Sequence, residues 1–419
     1  MRCRGGVAAP RELGCRMADQ ESVAETQGGV PKHGMPVIAA IVPKDSTDRR
    51  VPVTPESARA FVLAGWTVRV PRGSGLGCGH ADDEYEAVGA LLCDEAELLA
   101  GADVALCVNM PSDSFVDSIP PGVIVAGFLD PFARPDRIAK LADRGVTSLA
   151  LELVPRTTIA QSMDGLSSQA SLAGYAAVVL AASRLTKALP MMSTPAGTIK
   201  PARVLVVGTG VAGLQAIATA VRLGARVMAY DVRPTAKEQV ESLGAKFAKI
   251  DLGETGETSG GYAKELTEAQ LDMQREQLTK LCAESDVIVT TAQIFGRPAP
   301  VIVTADMVRA MKPGSVVVDA AISTGGNVEV AKPGEEIEFA GVTVIGDPLL
   351  PSRVARDASQ VLASNFVSLL MRVIDSDTKQ LRDPANDEIL SGVLLTHGGV
   401  VRDERVVKLI ESPSVGGAR

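Results

Sequence analysis

The stretch Val204-Leu205-Val206-Val207-Gly208-Thr209-Gly210-Val211-Ala212-Gly213 decides the fold. Four apolar residues run straight into G-x-G-x-x-G, and the Ala-rich segment behind it continues to Gly224. That order predicts a buried strand, a tight turn and a helix. The helix N-terminus would offer unsatisfied N–H groups, those of Val211 and Ala212 among them, and the positive end of its dipole to a pyrophosphate. Gly208 permits the turn, Gly210 lets backbone approach the phosphates, and Gly213 lets helix and strand pack closely. A second strand, Arg226 to Tyr230, ends in Asp231, eighteen residues past Gly213. A carboxylate at that strand end accepts adenosine ribose hydroxyls and repels a 2′-phosphate, which favours NAD(H) over NADP(H). Val232 and Arg233 follow it; Arg233 reads either as a counterweight to that preference or as a solvated loop residue.

Outward from this unit, short apolar runs alternate with helical patterns. Toward the C-terminus they are Val287 to Thr290, Val316 to Asp319 and Thr343 to Ile345. An earlier series begins at Pro36 to Val42 and continues through Thr67 to Val70, Val104 to Val108, Val123 to Phe128 and Thr147 to Leu151. Between its strands, Thr54-Pro55-Glu56 sets a cap residue before a proline at the first helical position, and Pro135 to Asp143 reads as another helix. Strand-helix alternation predicts an α/β protein with two Rossmann-like, doubly wound parallel sheets. Two long Ala-rich or apolar stretches, Gln169 to Leu189 and Ser359 to Val373, would join the lobes as helices. The expected layout is a first lobe from 36–163 plus 355–419 and a dinucleotide-binding domain over 164–354. Residues 1–35, polar and without a continuous apolar core, read as a disordered extension.

Composition narrows the function classes. Of 419 residues, 46% are hydrophobic, enough for more than one core, and 50 acidic against 42 basic side chains disfavour a broad grip on nucleic acid. Six cysteines show no C-x-x-C or other metal-ligand spacing, so they read as reduced thiols in a cytoplasmic protein, with no metal expected. Three scattered histidines give little material for a zinc site or a Ser-His-Asp triad. The most apolar long run, Ala176 to Met192, is interrupted by Arg184, Lys187 and Pro190, so no membrane crossing is expected.

A second polar constellation, Arg156 through Gln161, Asp164 and Ser167, leads from the first series into the long helix. An arginine, an amide and a carboxylate on one loop between lobes could orient a nicotinamide and its ribose, or could cap helices; the residues alone leave both open.

Taken together, Arg156…Gln161-Ser162-Met163-Asp164, Ser167 to Tyr175, Gly208 to Thr219, Asp231-Val232-Arg233-Pro234, Lys237 to Gly244, Gly260 to Glu265 and Lys312 to Asp319 resemble the NAD(H)-binding component of proton-translocating nicotinamide nucleotide transhydrogenase. Alanine dehydrogenase belongs to the same family. The resemblance is densest from about 150 to 320. It implies that Arg156, Gln161, Asp164 and Ser167 hold the nicotinamide end and that Tyr262 sits on a loop closing over the nucleotide. The glycine-rich, polar stretch Gly253 to Gly261 suits such a lid.

The resemblance further implies hydride transfer from NADH in this chain to NADP⁺ on a partner NADP(H)-binding component. Proton movement would then lie in membrane-spanning subunits, the chain itself being a homodimer attached peripherally to the inner (plasma) membrane. Such a site needs positioning and exclusion of water and no general base. The chain departs from the family's usual pattern at Gln293-Ile294-Phe295-Gly296, at Ser323, and at Asp347 and Leu349. Those departures leave a non-catalytic NAD(H)-binding paralogue as one alternative. An alanine dehydrogenase-like enzyme is the other, though only Arg50 has a counterpart among the basic residues that branch uses, and Asn109 and Leu129 stand near positions where it carries lysine and histidine.

Overall fold

Two doubly wound sheets, each wound outward from its first strand, account for almost all the strands. The computed structural model describes residues 35–43, 47–250 and 267–411. The proposed N-terminal extension, apart from Met35, lies outside the described residues, as do Gly253 to Gly261, Tyr262 and the last eight residues.

The first six strands are β1 (Val37–Ile41), β2 (Thr67–Pro71), β3 (Leu91–Cys93), β4 (Val104–Asn109), β5 (Ile124–Phe128) and β6 (Thr147–Ala150). A hairpin follows, β7 (Met192–Thr194) and β8 (Gly197–Ile199). The next seven are β9 (Arg203–Val207), β10 (Arg226–Tyr230), β11 (Lys246–Phe247), β12 (Val287–Thr290), β13 (Val316–Asp319), β14 (Glu336–Phe339) and β15 (Val342–Ile345). The chain ends with β16 (Leu394–His397) and β17 (Val400–Val401). The sheets run β17-β16-β6-β5-β4-β1-β2-β3 and β11-β10-β9-β12-β13-β15-β14. In each, the strand order reverses beside the first strand of the series, the switch point at which such sheets bind ligands. The α/β, doubly wound reading is borne out, with one difference: β14, β16 and β17 pair antiparallel at sheet edges. A short return needs no crossover helix, so an antiparallel strand is the cheap way to finish an edge.

The apolar runs read as strands because both faces of each sheet are covered. Val316 and Val318 enter one core with Val204 and Val206, while Val317 enters the opposite core with Leu205 and Val207, the period-two alternation of a pleated strand.

Two long helices set the lobes' relation. Gly165–Arg184 starts a turn earlier than its apolar pattern, because the Asp164 side chain accepts the Ser167 N–H at 2.9 Å and caps it. Its second half, Ala176 to Ala181, is buried in the second sheet's core. At its start, a Cβ on Gly165 would lie 3.2 Å from both Leu151 and Phe128 of the first lobe. By length and composition this helix is apolar enough to cross a membrane, with a mean hydropathy of 1.3. The other long helix, Ala355–Val373, buries Leu362, Phe366, Leu369, Leu370 and Val373 against the first sheet.

Candidate functional site

The glycine turn sits between β9 and the helix Val211–Arg222, at the C-terminal edge of the second sheet. Its glycines differ in what constrains them. Gly208 has φ +92°, and a Cβ there would meet Ala292 N and Thr291 Oγ1 at 2.9 Å; a Cβ on Gly213 would sit 2.0 Å from the Gly208 carbonyl oxygen. Both are required by packing. Gly210 has ordinary extended backbone, φ −72° and ψ −167°, and a Cβ there would meet nothing within 4 Å. Contacts within the chain do not account for this glycine, and the space above it is open. Val211, the first helical residue, is exposed and Ala212 half-buried beside it.

Asp231 closes one side of the turn. Its carboxylate accepts the Thr209 N–H (2.8 Å) and hydroxyl (2.7 Å), and the Arg233 N–H and Nε at 2.9 Å each. Arg233 Nη2 adds a further bond at 2.9 Å. Burial pushes the Asp231 carboxyl up, but Arg233 and Thr209 outweigh it and hold it below the ordinary carboxylate range. Arg233 is thus folded onto Asp231 as its counter-ion and not extended into solvent. Val232, between them in sequence, is half-buried.

The Arg156 to Ser167 segment approaches from the other lobe. Arg156 and Gln161 are exposed, Gln161 opening the single turn Gln161–Met163, while Ala160 and Met163 are buried anchors. Asp164 Oδ2 accepts the Ser167 hydroxyl at 2.6 Å, so these two are brought into direct contact and both sequence readings of Asp164, cap and polar site residue, meet in one side chain. Asn365 on the second long helix ties the loop down, donating to the Ser162 carbonyl at 2.8 Å and accepting from Ser168 Oγ at 2.7 Å. The link to the glycine turn runs through the helix itself. A Cβ on Gly174 would fall 2.0 Å from the Ala212 carbonyl oxygen, so the two helices touch backbone to backbone where the turn begins. Gly174 lies about 15 Å along the helix from Asp164, at about 1.5 Å per residue. Tyr262 falls outside the described residues.

Sequence reasoning passed over the residues that hold the site's floor. Asp319, fully buried at the end of β13, accepts Thr290 Oγ1 (3.0 Å) and the N–H groups of Ala321 (3.0 Å), Asn327 (2.7 Å) and Val328 (3.0 Å). Burial nevertheless pushes its carboxyl above the usual value. Asn327 accepts the Ala292 N–H and donates to the Ala292 and Pro300 carbonyls. The Thr-Gly-Gly-Asn signal was visible, but its task of joining the loops after β12 and β13 is a tertiary one. Of the departures from the family pattern, Asp347 pairs with Arg353, Ser323 is exposed, and Phe295 packs against the first lobe's core.

Arg50 is buried and committed: Nε and Nη2 bind Asp48, and Nη1 donates to Gln169 Oε1 at 2.7 Å. Burial raises the Asp48 carboxyl, and Arg50 more than reverses that. Asn109 donates to Asp48 Oδ2 at 3.0 Å.

Comparison with known proteins agrees with this architecture. The N-terminal domain pattern of alanine dehydrogenase/PNT matches residues 41–173, and the C-terminal domain pattern of the same family matches 177–404. The chain is 44% identical over 370 residues to the first portion of NAD(P) transhydrogenase subunit alpha of Rhodospirillum rubrum, a separate chain there, covering 86% of this chain and 96% of that one. It is 29% identical to the alanine dehydrogenase of Methanococcus maripaludis, covering 89% and 96%. The crystal structure of transhydrogenase from Sinorhizobium meliloti superposes with a TM-score of 0.76 at 41% identity, over 87% of this chain and 98% of that one. Sequence patterns, long relatives and fold converge, and the chain belongs to the alanine dehydrogenase/PNT family.

Proposed function

We propose that the chain is the NAD(H)-binding component of a proton-translocating transhydrogenase. What carries this reading is Gly210: an exposed glycine that the chain's own packing does not require, at the mouth of a helix N-terminus and beside a carboxylate. Backbone approach by a pyrophosphate supplies the reason for it. The 44% relative and the 41% structure, both named as transhydrogenase or a subunit of it, support the oxidoreductase class.

NAD(H) fits the residues present. The turn Gly208–Gly213 would take its pyrophosphate, Asp231 its adenosine ribose, and Arg156, Gln161, Asp164 and Ser167 the nicotinamide end. When bound, NADH would supply the hydride that reduces NADP⁺ on the partner component, leaving NAD⁺ and NADPH. The chain's own residues orient and shield. The capped helix fixes Asp164 and Ser167 relative to the turn, and Asn365 keeps the Arg156 loop from drifting. No proton has to leave a substrate hydroxyl, so no general base is needed.

The partners are an NADP(H)-binding component and membrane-spanning subunits that carry the proton movement and hold this chain at the inner membrane from the cytoplasmic side. A homodimer fits the hairpin β7–β8, exposed at all six strand residues with Met191, Met192 and Ile199 uncovered. Two strands standing alone are marginal in water, and a second copy would cover them. Light scattering giving a monomer would end that expectation.

The amino-acid dehydrogenase reading is disfavoured by Arg50, whose guanidinium is occupied by Asp48 and Gln169. The decisive experiment mixes the purified chain with a folded NADP(H)-binding component. It follows reduction of acetylpyridine-NAD⁺ by NADH in the presence of NADP(H), with NADH binding titrated separately. Transfer above either component alone is expected. Tight NADH binding without transfer would shift the assignment to a non-catalytic paralogue, and NADH consumption dependent on pyruvate and ammonium would shift it to an alanine dehydrogenase.

A further inference from the structure

We propose that Phe132, Phe295 and Arg405 form a clasp between the lobes that positions the floor of the nucleotide cleft, making all three positioning residues for hydride transfer. The inference rests on the NAD(H) reading above.

The loop after β12 is fixed at its base and docked at its tip. At the base, Thr291 Oγ1 donates to the Gly208 carbonyl at 3.1 Å, and Ala292 is held on both its N–H and carbonyl by Asn327. The loop is therefore locked to the glycine turn. At the tip, Phe295 leaves its own lobe and packs on the first lobe's core. Its ring meets Phe132, on the loop after β5, edge to face, with centroids 5.3 Å apart and an interplanar angle of 79°. Gly296 has φ +72°, and a Cβ on it would lie 3.5 Å from the Phe132 ring, so the chain turns tightly over that ring.

Arg405 closes the arrangement from a third segment, the helix Glu404–Glu411. Its guanidinium lies 4.9 Å from the Phe132 centroid and 5.8 Å from that of Phe295. It is aimed by Asp403, which accepts Nε at 3.1 Å, Nη2 at 2.6 Å and the backbone N–H at 2.8 Å. Edge-to-face rings and a cation over a ring face are both attractive arrangements with preferred geometry. Three segments distant in sequence thus converge where the loop flooring the turn meets the other lobe.

The consequence follows from where the two ends of a dinucleotide would be held. The turn and Asp231 belong to one lobe, whereas the Arg156 loop begins in the other. Pyrophosphate and ribose contacts survive a change in lobe separation, but the nicotinamide end does not keep its orientation, and a displacement of about 1 Å at a reacting centre costs on the order of 10²-fold in rate. Phe295 replaces the smaller, non-aromatic residue usual in the family pattern, so this chain would have acquired its own means of setting that separation.

The test compares Phe132→Ala, Phe295→Ala, the double variant, Phe295→Tyr and the solvent-exposed Arg405→Gln in the full chain. The expected result is NADH affinity within about threefold of the unaltered chain and hydride transfer reduced at least about tenfold in either alanine variant. The double variant should be no worse than the single ones, Phe295→Tyr should restore most of the rate, and Arg405→Gln should show a smaller loss of the same kind. Hydrogen exchange should quicken over 128–133 and 292–298 while 203–231 stays unchanged. Multiplying losses in the double variant, or unchanged exchange at both loops, overturns the clasp. An unaltered chain that binds NADH without transferring hydride would sink the transhydrogenase reading, and the exchange pattern would still decide the clasp.

Discussion

The Cα of Gly174 lies so near the Ala212 carbonyl that a Cβ built on it would sit 2.0 Å from the oxygen, whereas a Cβ on Gly210 would touch nothing within 4 Å. The first glycine is demanded by helix packing and the second is not. Gly174→Ala forces the long helix off the start of the nucleotide helix, an overpacking cost of about 1–3 kcal/mol, and NADH binding should weaken with it. Gly210→Ala, at a φ any residue adopts, should leave the melting temperature unchanged or slightly raised while weakening NADH binding. Parallel thermal melts and NADH titrations check this; equal effects of the two variants on both readouts would contradict it.

Asp164 caps the long helix and touches Ser167, so cap and charge can be separated. Asp164→Asn keeps an acceptor for the Ser167 N–H, and its stability should stay close to that of the unaltered chain. Asp164→Ala loses the cap, at about 1 kcal/mol. If the carboxylate orients the nicotinamide end, both variants lose hydride transfer more than NADH affinity. A normal rate in Asp164→Asn would reduce the residue to a cap.

The contrast between glycines also marks how far the sequence could be read. Strand positions such as Val316 to Asp319 were legible because each sheet is covered on both faces, which leaves an unbroken apolar run. Edge elements were not. Glu336–Phe339 alternates exposed and half-buried residues, and Leu394–His397 is recruited by β6 from far away in sequence. Within the site, the glycine turn and Asp231 announce themselves by spacing. Thr209 and Asn327 do not, because their partners, Asp231 and the Ala292 backbone, are chosen by tertiary structure. Phe295 registered only as a departure from a pattern, and its contact with Phe132 is invisible until both lobes are folded.

Arg233 and Asp231 form a largely buried pair, so removing the carboxylate strands a guanidinium. Asp231→Asn should cost about 2–3 kcal/mol, the range for hydrogen bonds to charged groups. It should weaken NADH binding and narrow the preference against a 2′-phosphate. Because Arg233 and Thr209 hold the Asp231 carboxyl below its ordinary value against the opposing effect of burial, its stabilisation is present above the unfolded carboxylate pKa of about 3.9. It is lost as pH falls through the lower folded value. Acid unfolding of the unaltered chain should therefore include a step below about pH 4 that Asp231→Asn lacks. Superimposable acid limbs would show that the pair does not act this way.

Glu152 gives the opposite sign. Its Oε1 accepts the Asp130 N–H at 2.7 Å, at a residue whose φ is +49°, while Oε2 is buried without a hydrogen-bond partner among the described residues. Burial pushes the carboxyl up to about 7, outweighing the backbone donors that favour the charge. A carboxyl whose folded pKa lies above the unfolded value of about 4.3 contributes stability that is complete below that value and is lost as pH rises through about 7. Glu152→Gln keeps the shape and removes the proton equilibrium. The two proteins should melt alike near pH 4, and the variant should gain steadily above it, by on the order of 3 kcal/mol at about pH 8. Melting curves from about pH 4 to 8 decide the matter: a gap that is constant across the range, or absent at its upper end, would mean that Glu152 is ionised in the folded chain despite its surroundings.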